Sequence, residues 1–131
     1  MAPHQDIDLL TLDYHIPACN GFESLEAEIN DEWVKVPSVR DHLTVNFGLI
    51  LAALTSNRVK ATRHRVVAPP KAHQKGSMRM ALPYFMMPSN DAKILIPEDS
   101  DLCKYLEESE LKEGATVRQL VPRILAHFKR K

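Results

Sequence analysis

Short apolar runs separated by turn-forming residues fill the chain as far as Pro97, and helical spacing takes over beyond it. Residues 9–14 are apolar and β-competent, and Phe22, Leu25, Ala27 and Ile29 follow in a partly alternating run. Asn30-Asp31 predicts a turn into a strand at Trp33-Val34-Lys35-Val36, which Pro37-Ser38 closes. Residues 43–47 read as another strand, with Thr44 and Val45 adding β-branching. Gly48 then introduces residues 49–54, an apolar run rich in helix formers. One or two buried helical turns ending near Ser56-Asn57 are expected there. Residues 61–67, stopped by Pro69-Pro70, and residues 78–86, stopped by Pro88-Ser89-Asn90, predict two further strands. Pro83 lacks an N–H for a ladder, so it assigns the second of these to an edge or a bulge. Residues 94–96 add a short strand.

After Pro97 the apolar positions Leu102, Tyr105 and Leu106, and then Val117, Leu120, Val121, Ile124, Leu125 and Phe128, predict helices over 101–109 and 116–128. Thr116 is a reasonable N-cap, and Lys129-Arg130 suit a helix C-terminus. Pro122 requires a kink or a late start. Strands first and helices last predict an α+β fold, a β-sandwich or roll carrying C-terminal helices. The expected division is a core over 1–97 and a helical segment over 98–131.

Composition narrows the function classes. At 131 residues the chain is one domain by length. Seventeen basic and seventeen acidic residues cancel, so no global field recruits nucleic acid or an anionic membrane. The basic run Lys129-Arg130-Lys131 reads as a solvated terminus. No apolar run approaches the roughly 20 residues that span a bilayer. His4, Asp6, Asp8 and Asp13 do not fit a signal-peptide apolar stretch. Cys19 and Cys103 stand far apart without CxxC spacing, as reduced thiols do in a cytoplasmic protein, and the sequence leaves a disulfide between them open. A soluble cytoplasmic protein is expected.

Three segments carry candidate chemistry. In His4-Gln5-Asp6, residues two apart in an extended segment project to one side, so an imidazole and a carboxylate can face a single ion. A surface histidine near an aspartate fits the same pattern. In Ala61-Thr62-Arg63-His64-Arg65-Val66-Val67, alternation places Arg63 and Arg65 opposite His64, and a buried, hydrogen-bonded histidine would also satisfy it. In Arg79-Met80-Ala81-Leu82-Pro83-Tyr84-Phe85, an arginine heading an apolar strand can point into a pocket and clamp an anion, or can sit at a strand edge on the surface.

In this order the segments resemble the core of the iron- and 2-oxoglutarate-dependent oxygenases, the branch that includes isopenicillin N synthase. The similarity covers about residues 3–97 and extends to the connecting segments. Asn30-Asp31-Glu32-Trp33-Val34-Lys35-Val36-Pro37 resembles the family's DGEWIDVPP hairpin, and Val45-Asn46-Phe47-Gly48 its VNIGD. Thr55-Ser56-Asn57-Arg58-Val59-Lys60-Ala61-Thr62-Arg63-His64-Arg65-Val66 is similar to its TNGRYKSTPHRV.

The resemblance implies a mainly β, double-stranded β-helix (jelly roll, cupin-like), incomplete at the N-terminus, with C-terminal helices. It implies His4, Asp6 and His64 as ligands of Fe(II), a facial set that leaves other coordination positions open. Arg79 would clamp the distal carboxylate of 2-oxoglutarate, the cosubstrate, and ascorbate is an auxiliary reductant compatible with the family. The implied activity is that of an oxidoreductase, a dioxygenase using dioxygen to hydroxylate or desaturate a small organic substrate, with release of succinate and CO2. A 2-oxoglutarate-independent Fe(II) oxidase and a truncated, non-catalytic remnant are the alternatives.

Three departures stand out. Ala81 occupies the position of the family's usual serine in Arg-x-Ser. Loss of one hydrogen bond to a charged group costs about 1.5–3 kcal/mol, tenfold or more in affinity. Leu49 replaces the acidic residue after the family's Asn-x-Gly. The family also carries a long segment before its HxD motif, whereas His4 stands at the start here, so unpaired sheet edges and self-association through them are expected. His15, His42, His73 and His127 match no ligand position, and Trp33 and Tyr84 read as core packing.

Overall fold

Asn30 and Asp31 both adopt left-handed backbone, φ 51° and 65°, in the computed structural model, which describes residues 1–128. Two successive positive φ values give the twist that joins antiparallel strands tightly. Strands β2 (Leu25–Ile29) and β3 (Glu32–Lys35) accordingly form a hairpin with Ile29 opposite Glu32 and Glu26 opposite Lys35. In chain order, β2 is preceded by β1 (Leu10–Ile16), and β3 is followed by β4 (Leu43–Phe47), α1 (Leu49–Leu54), β5 (His64–Val66) and β6 (Met80–Met86). Two short strands, β7 (Lys93–Ile94) and β8 (Ala115–Thr116), and two helices, α2 (Glu108–Glu113) and α3 (Val117–Phe128), complete the described chain. One three-stranded sheet has the order β4-β1-β6, a second β3-β2-β5, and β7 pairs with β8.

Contacts group the chain into two units. One comprises Met1–Gln5, Thr11–Asn46 and Thr62–Phe85 and contains nearly all of the two three-stranded sheets. Pro83 lies in β6, at an edge of its sheet, where proline is tolerated. Inside this unit His15 is 2% exposed. Its Nε2 lies 2.6 Å from Asp13 Oδ2 and its Nδ1 3.2 Å from Ser38 Oγ. Both ring nitrogens of a buried imidazole are thus satisfied, as burial requires.

The other unit comprises Asp6–Leu10, Phe47–Ala61 and the chain from Met86 onward. Its core joins Ile50 and Ala53 of α1 to Ile94, Ile96 and Leu102, and to Ala115, Val117, Leu120 and Ile124. The segment before β1 is laced to the start of α1: Leu49 N–H donates to Asp6 O at 2.8 Å, Gly48 N–H to Leu9 O at 3.0 Å and Ile50 N–H to Ile7 O at 3.2 Å. Thr116 caps α3 as expected, with Gln119 N–H donating to its Oγ1 at 3.3 Å and its own N–H donating to Gln119 Oε1 at 2.9 Å. Pro122 lies inside α3.

Some expectations are corrected. Residues 101–109 are not one helix: a 3-10 turn over Asp101–Tyr105 ends, Leu106 is extended, and α2 starts after Glu107, whose N–H donates to Glu110 Oε2 at 2.8 Å. Gly114, at φ 81°, then ends α2 in a conformation that a side chain would resist. Strand β8 has no clear signal in sequence because two residues are too few for a pattern. Tyr84 is not core: it is 63% exposed. Trp33 is half-buried and lies under two guanidinium groups, 4.1 Å from Arg65 and 5.8 Å from Arg63. Cys19 and Cys103 are free thiols. The expectations for Lys129-Arg130 and the basic run Lys129-Arg130-Lys131 lie outside the described residues. Among the described residues no helix is long and apolar enough to cross a membrane.

Candidate metal centre and anion site

Strand β5 pairs antiparallel with β2, placing His64 opposite Ala27 and Arg65 opposite Glu26. Alternation then sorts the side chains. Arg65 Nε donates to Glu26 at 2.7 Å, and Arg63 Nη1 donates to Glu28 at 3.0 Å, so both cations flanking His64 in sequence are matched by carboxylates. His64 takes the other side, where its cross-strand partner Ala27 is small and buried.

His4 forms an isolated antiparallel bridge with His64. Each backbone N–H donates to the other's carbonyl, at 3.0 and 2.9 Å. Directly opposed residues of an antiparallel pair project side chains to the same face. The two imidazoles therefore meet, with ring centroids 4.3 Å apart and planes inclined by 56°. Asp6 is two residues on and 9% exposed. One ligand atom from each of His4, Asp6 and His64 lies within 4.8 Å of the others. A first-row divalent ion at roughly 2.1 Å from each donor is reached by side-chain adjustments on the order of an ångström.

The tautomers are set by the backbone. His4 Nδ1 lies 2.9 Å from the Ala2 carbonyl and His64 Nδ1 3.1 Å from that of Thr62. A carbonyl only accepts, so Nδ1 carries the proton in the neutral ring and Nε2 is the basic, ligating nitrogen. Fixing one nitrogen by a hydrogen bond orients the other toward a metal.

Arg79 immediately precedes β6, on the same strand side as Ala81. Its Nε donates to Ser24 Oγ, while its Nη1 is buried without a hydrogen-bond partner among the described residues. A buried guanidinium nitrogen with no acceptor has donor capacity that a carboxylate can satisfy. The donor set and this orphaned nitrogen both fit Fe(II) and a dicarboxylate. The Ala81 methyl offers no polar atom to it. Ser24 is the functional candidate that sequence did not reveal, since its partner Arg79 lies 55 positions away. His42 and His73 are exposed and stand outside the cluster, as does the buried His15. The side chain of His127 lies outside the described residues.

The profile of the 2OG-Fe(II) oxygenase superfamily matches residues 1–88. Deacetoxycephalosporin C synthase of Amycolatopsis lactamdurans is 32% identical over 97 residues, covering 74% of this chain and 31% of that protein. The alpha-ketoglutarate-dependent kainoid synthase of Pseudo-nitzschia multiseries is 39% identical over 130 residues, covering 88% of this chain and 34% of that one. Among solved structures, a full-length Neurospora crassa protein in complex with alpha-KG and 5-formyluracil matches at TM-score 0.69 and 28% identity, over 95% of this chain and 39% of that chain. The chain spans about a third of the length of the curated relatives it matches.

Proposed function

This chain belongs to the 2OG-Fe(II) oxygenase superfamily, and from that membership we propose that it carries the iron and cosubstrate sites of an oxygenase acting on a small organic molecule. The two three-stranded sheets are, in this reading, parts of a double-stranded β-helix, with residues 1–97 as its core and the following helical segment as an addition. His4 and His64 bind Fe(II) through Nε2 and Asp6 through its carboxylate. Arg79 binds the distal carboxylate of 2-oxoglutarate. With dioxygen, the bound pair supplies oxidative decarboxylation to succinate and CO2, coupled to hydroxylation or desaturation of the substrate.

The residues of the chain divide that work. The Nδ1–H bonds to Ala2 and Thr62 hold both imidazoles in the ligating tautomer before an ion arrives. Asp6 offsets one of the two charges of the ion, and the remaining positive charge together with Arg79 matches the two negative charges of 2-oxoglutarate. The observation that carries the reading is the convergence of His4, Asp6 and His64 within 4.8 Å. Anaerobic addition of Fe(II) and 2-oxoglutarate is expected to give a visible metal-to-ligand charge-transfer band that His64→Ala abolishes. Absence of the band in the unaltered chain at saturating iron and cosubstrate refutes it.

A further inference from the structure

We propose that Ser24 compensates for the hydroxyl missing at Ala81 by holding Arg79 through Nε, so that its Nη1 faces the distal carboxylate of the cosubstrate. This rests on the oxygenase reading above and deepens it. Two independent facts meet at one guanidinium: Nε is already engaged by the Ser24 hydroxyl, and Nη1 is buried without an acceptor.

Ser24 is well placed to be rigid. It is 6% exposed, immediately precedes β2, and its carbonyl accepts the Val67 N–H at 2.8 Å just beyond β5. Its backbone is therefore held by the sheet that also positions His64. A guanidinium offers a carboxylate either its Nε side or its Nη1–Nη2 end. With Nε occupied, the carboxylate must dock at the Nη1–Nη2 end. The hydroxyl keeps its own proton while accepting from Nε, so it remains a donor as well. Ser24 is thus a positioning residue for Arg79, contributed from the residue just before β2.

The test compares two 2-oxo acids by calorimetry on the Fe(II)-loaded chain under anaerobic conditions. 2-Oxobutyrate has the same chelating head as 2-oxoglutarate but no distal carboxylate. Ser24→Ala is expected to weaken 2-oxoglutarate binding about tenfold or more and to leave 2-oxobutyrate unchanged. Ala81→Ser in the Ser24→Ala background is expected to restore affinity, and Ser24→Thr, which keeps the hydroxyl, to retain it. Equal losses for both acids, no loss, or no rescue overturns the proposal. Nitrogen-15 NMR of the metal-free chain reads the contact separately: the Arg79 Nε–H signal should be protected from exchange and lose that protection in Ser24→Ala. Equal exchange in the two proteins overturns the contact itself. A protected Nε–H in a chain that binds neither acid removes the oxygenase reading and the cosubstrate role of Ser24 together, while leaving the contact in place.

Discussion

Replacing Gly48 with alanine pits two effects of opposite sign against each other. The backbone there is extended, φ −99° and ψ 174°, which any residue adopts, so the requirement for glycine is one of space. A Cβ would lie 2.2 Å from both the carbonyl oxygen and Oδ1 of Asp8, and 2.7 Å from the carbonyl carbon. Ordinary non-bonded separations are about 3.5 Å, so the methyl falls more than an ångström short. The Asp8 backbone cannot yield easily, because hydrogen bonds from residues 48, 49 and 50 to Leu9, Asp6 and Ile7 fix the segment on either side of it. Overpacking of this kind costs about 1–3 kcal/mol, and each of those backbone bonds, if broken, adds about 1 kcal/mol. Against this, the stiffer unfolded chain returns only about 0.4–1 kcal/mol. Strain wins, and a net loss of about 2 kcal/mol is expected. At a denaturant slope of about 2 kcal/mol/M, the urea midpoint of Gly48→Ala should fall by about 1 M. Because the same segment carries Asp6, Fe(II) affinity should fall with it. A midpoint equal to or above that of the unaltered chain would refute the steric argument.

Two further outcomes follow from other parts of the molecule. Glu110 accepts from Arg123 Nη1 at 2.5 Å, and that hydrogen bond, with one from the Glu107 backbone, holds its carboxyl below the ordinary value of 4.5. The unfolded chain therefore takes up the proton first, so stability rises with pH in this window and is lost as pH falls through the folded pKa. Glu110→Gln should flatten the acid limb of the unfolding free energy below about pH 4.5, and an unchanged limb would remove Glu110 from the account. Leu43 and Val45 on β4 and Leu82 and Tyr84 on β6 are each at least half exposed, from 50% to 63%. Apolar side chains so presented favour pairing with a second copy, so sedimentation should depend on concentration and the double variant Val45→Lys, Leu82→Lys should abolish that dependence. A concentration-independent monomer before substitution would show these strands to be inert.

What could be read in advance follows from how local each signal is. Strand β4 and helix α1 appear at residues 43–47 and 49–54 as expected, because β-branching, the break at Gly48 and the apolar run act within a few residues. The Asn30-Asp31 turn is equally local. His4, Asp6 and His64 became a candidate set through motif resemblance, whereas their convergence depends on a backbone bridge that no spacing encodes. Tyr84 departs from the core expectation because alternation tells which residues share a strand side but not whether anything covers that side. The helix expected over 101–109 does not form because Leu102 and Tyr105 satisfy a short 3-10 turn as well as an α-helix, and the start of α2 is decided by Glu107 and Glu110. Ser24 was illegible for the opposite reason to β4: its partner lies 55 positions away.

The bridge between His4 and His64 has a topological consequence. The two positions are sixty residues apart, so an ion shared by their side chains would close a ring through the whole β2–β3 hairpin. Cross-linking a loop of that size removes about 4 kcal/mol worth of unfolded-chain freedom in the chain-entropy description. A dissociable clasp would do so only while the ion is bound, which would couple the persistence of the hairpin to the supply of that ion. Withdrawing the ion would then loosen the architecture around the ring as well as stop the chemistry.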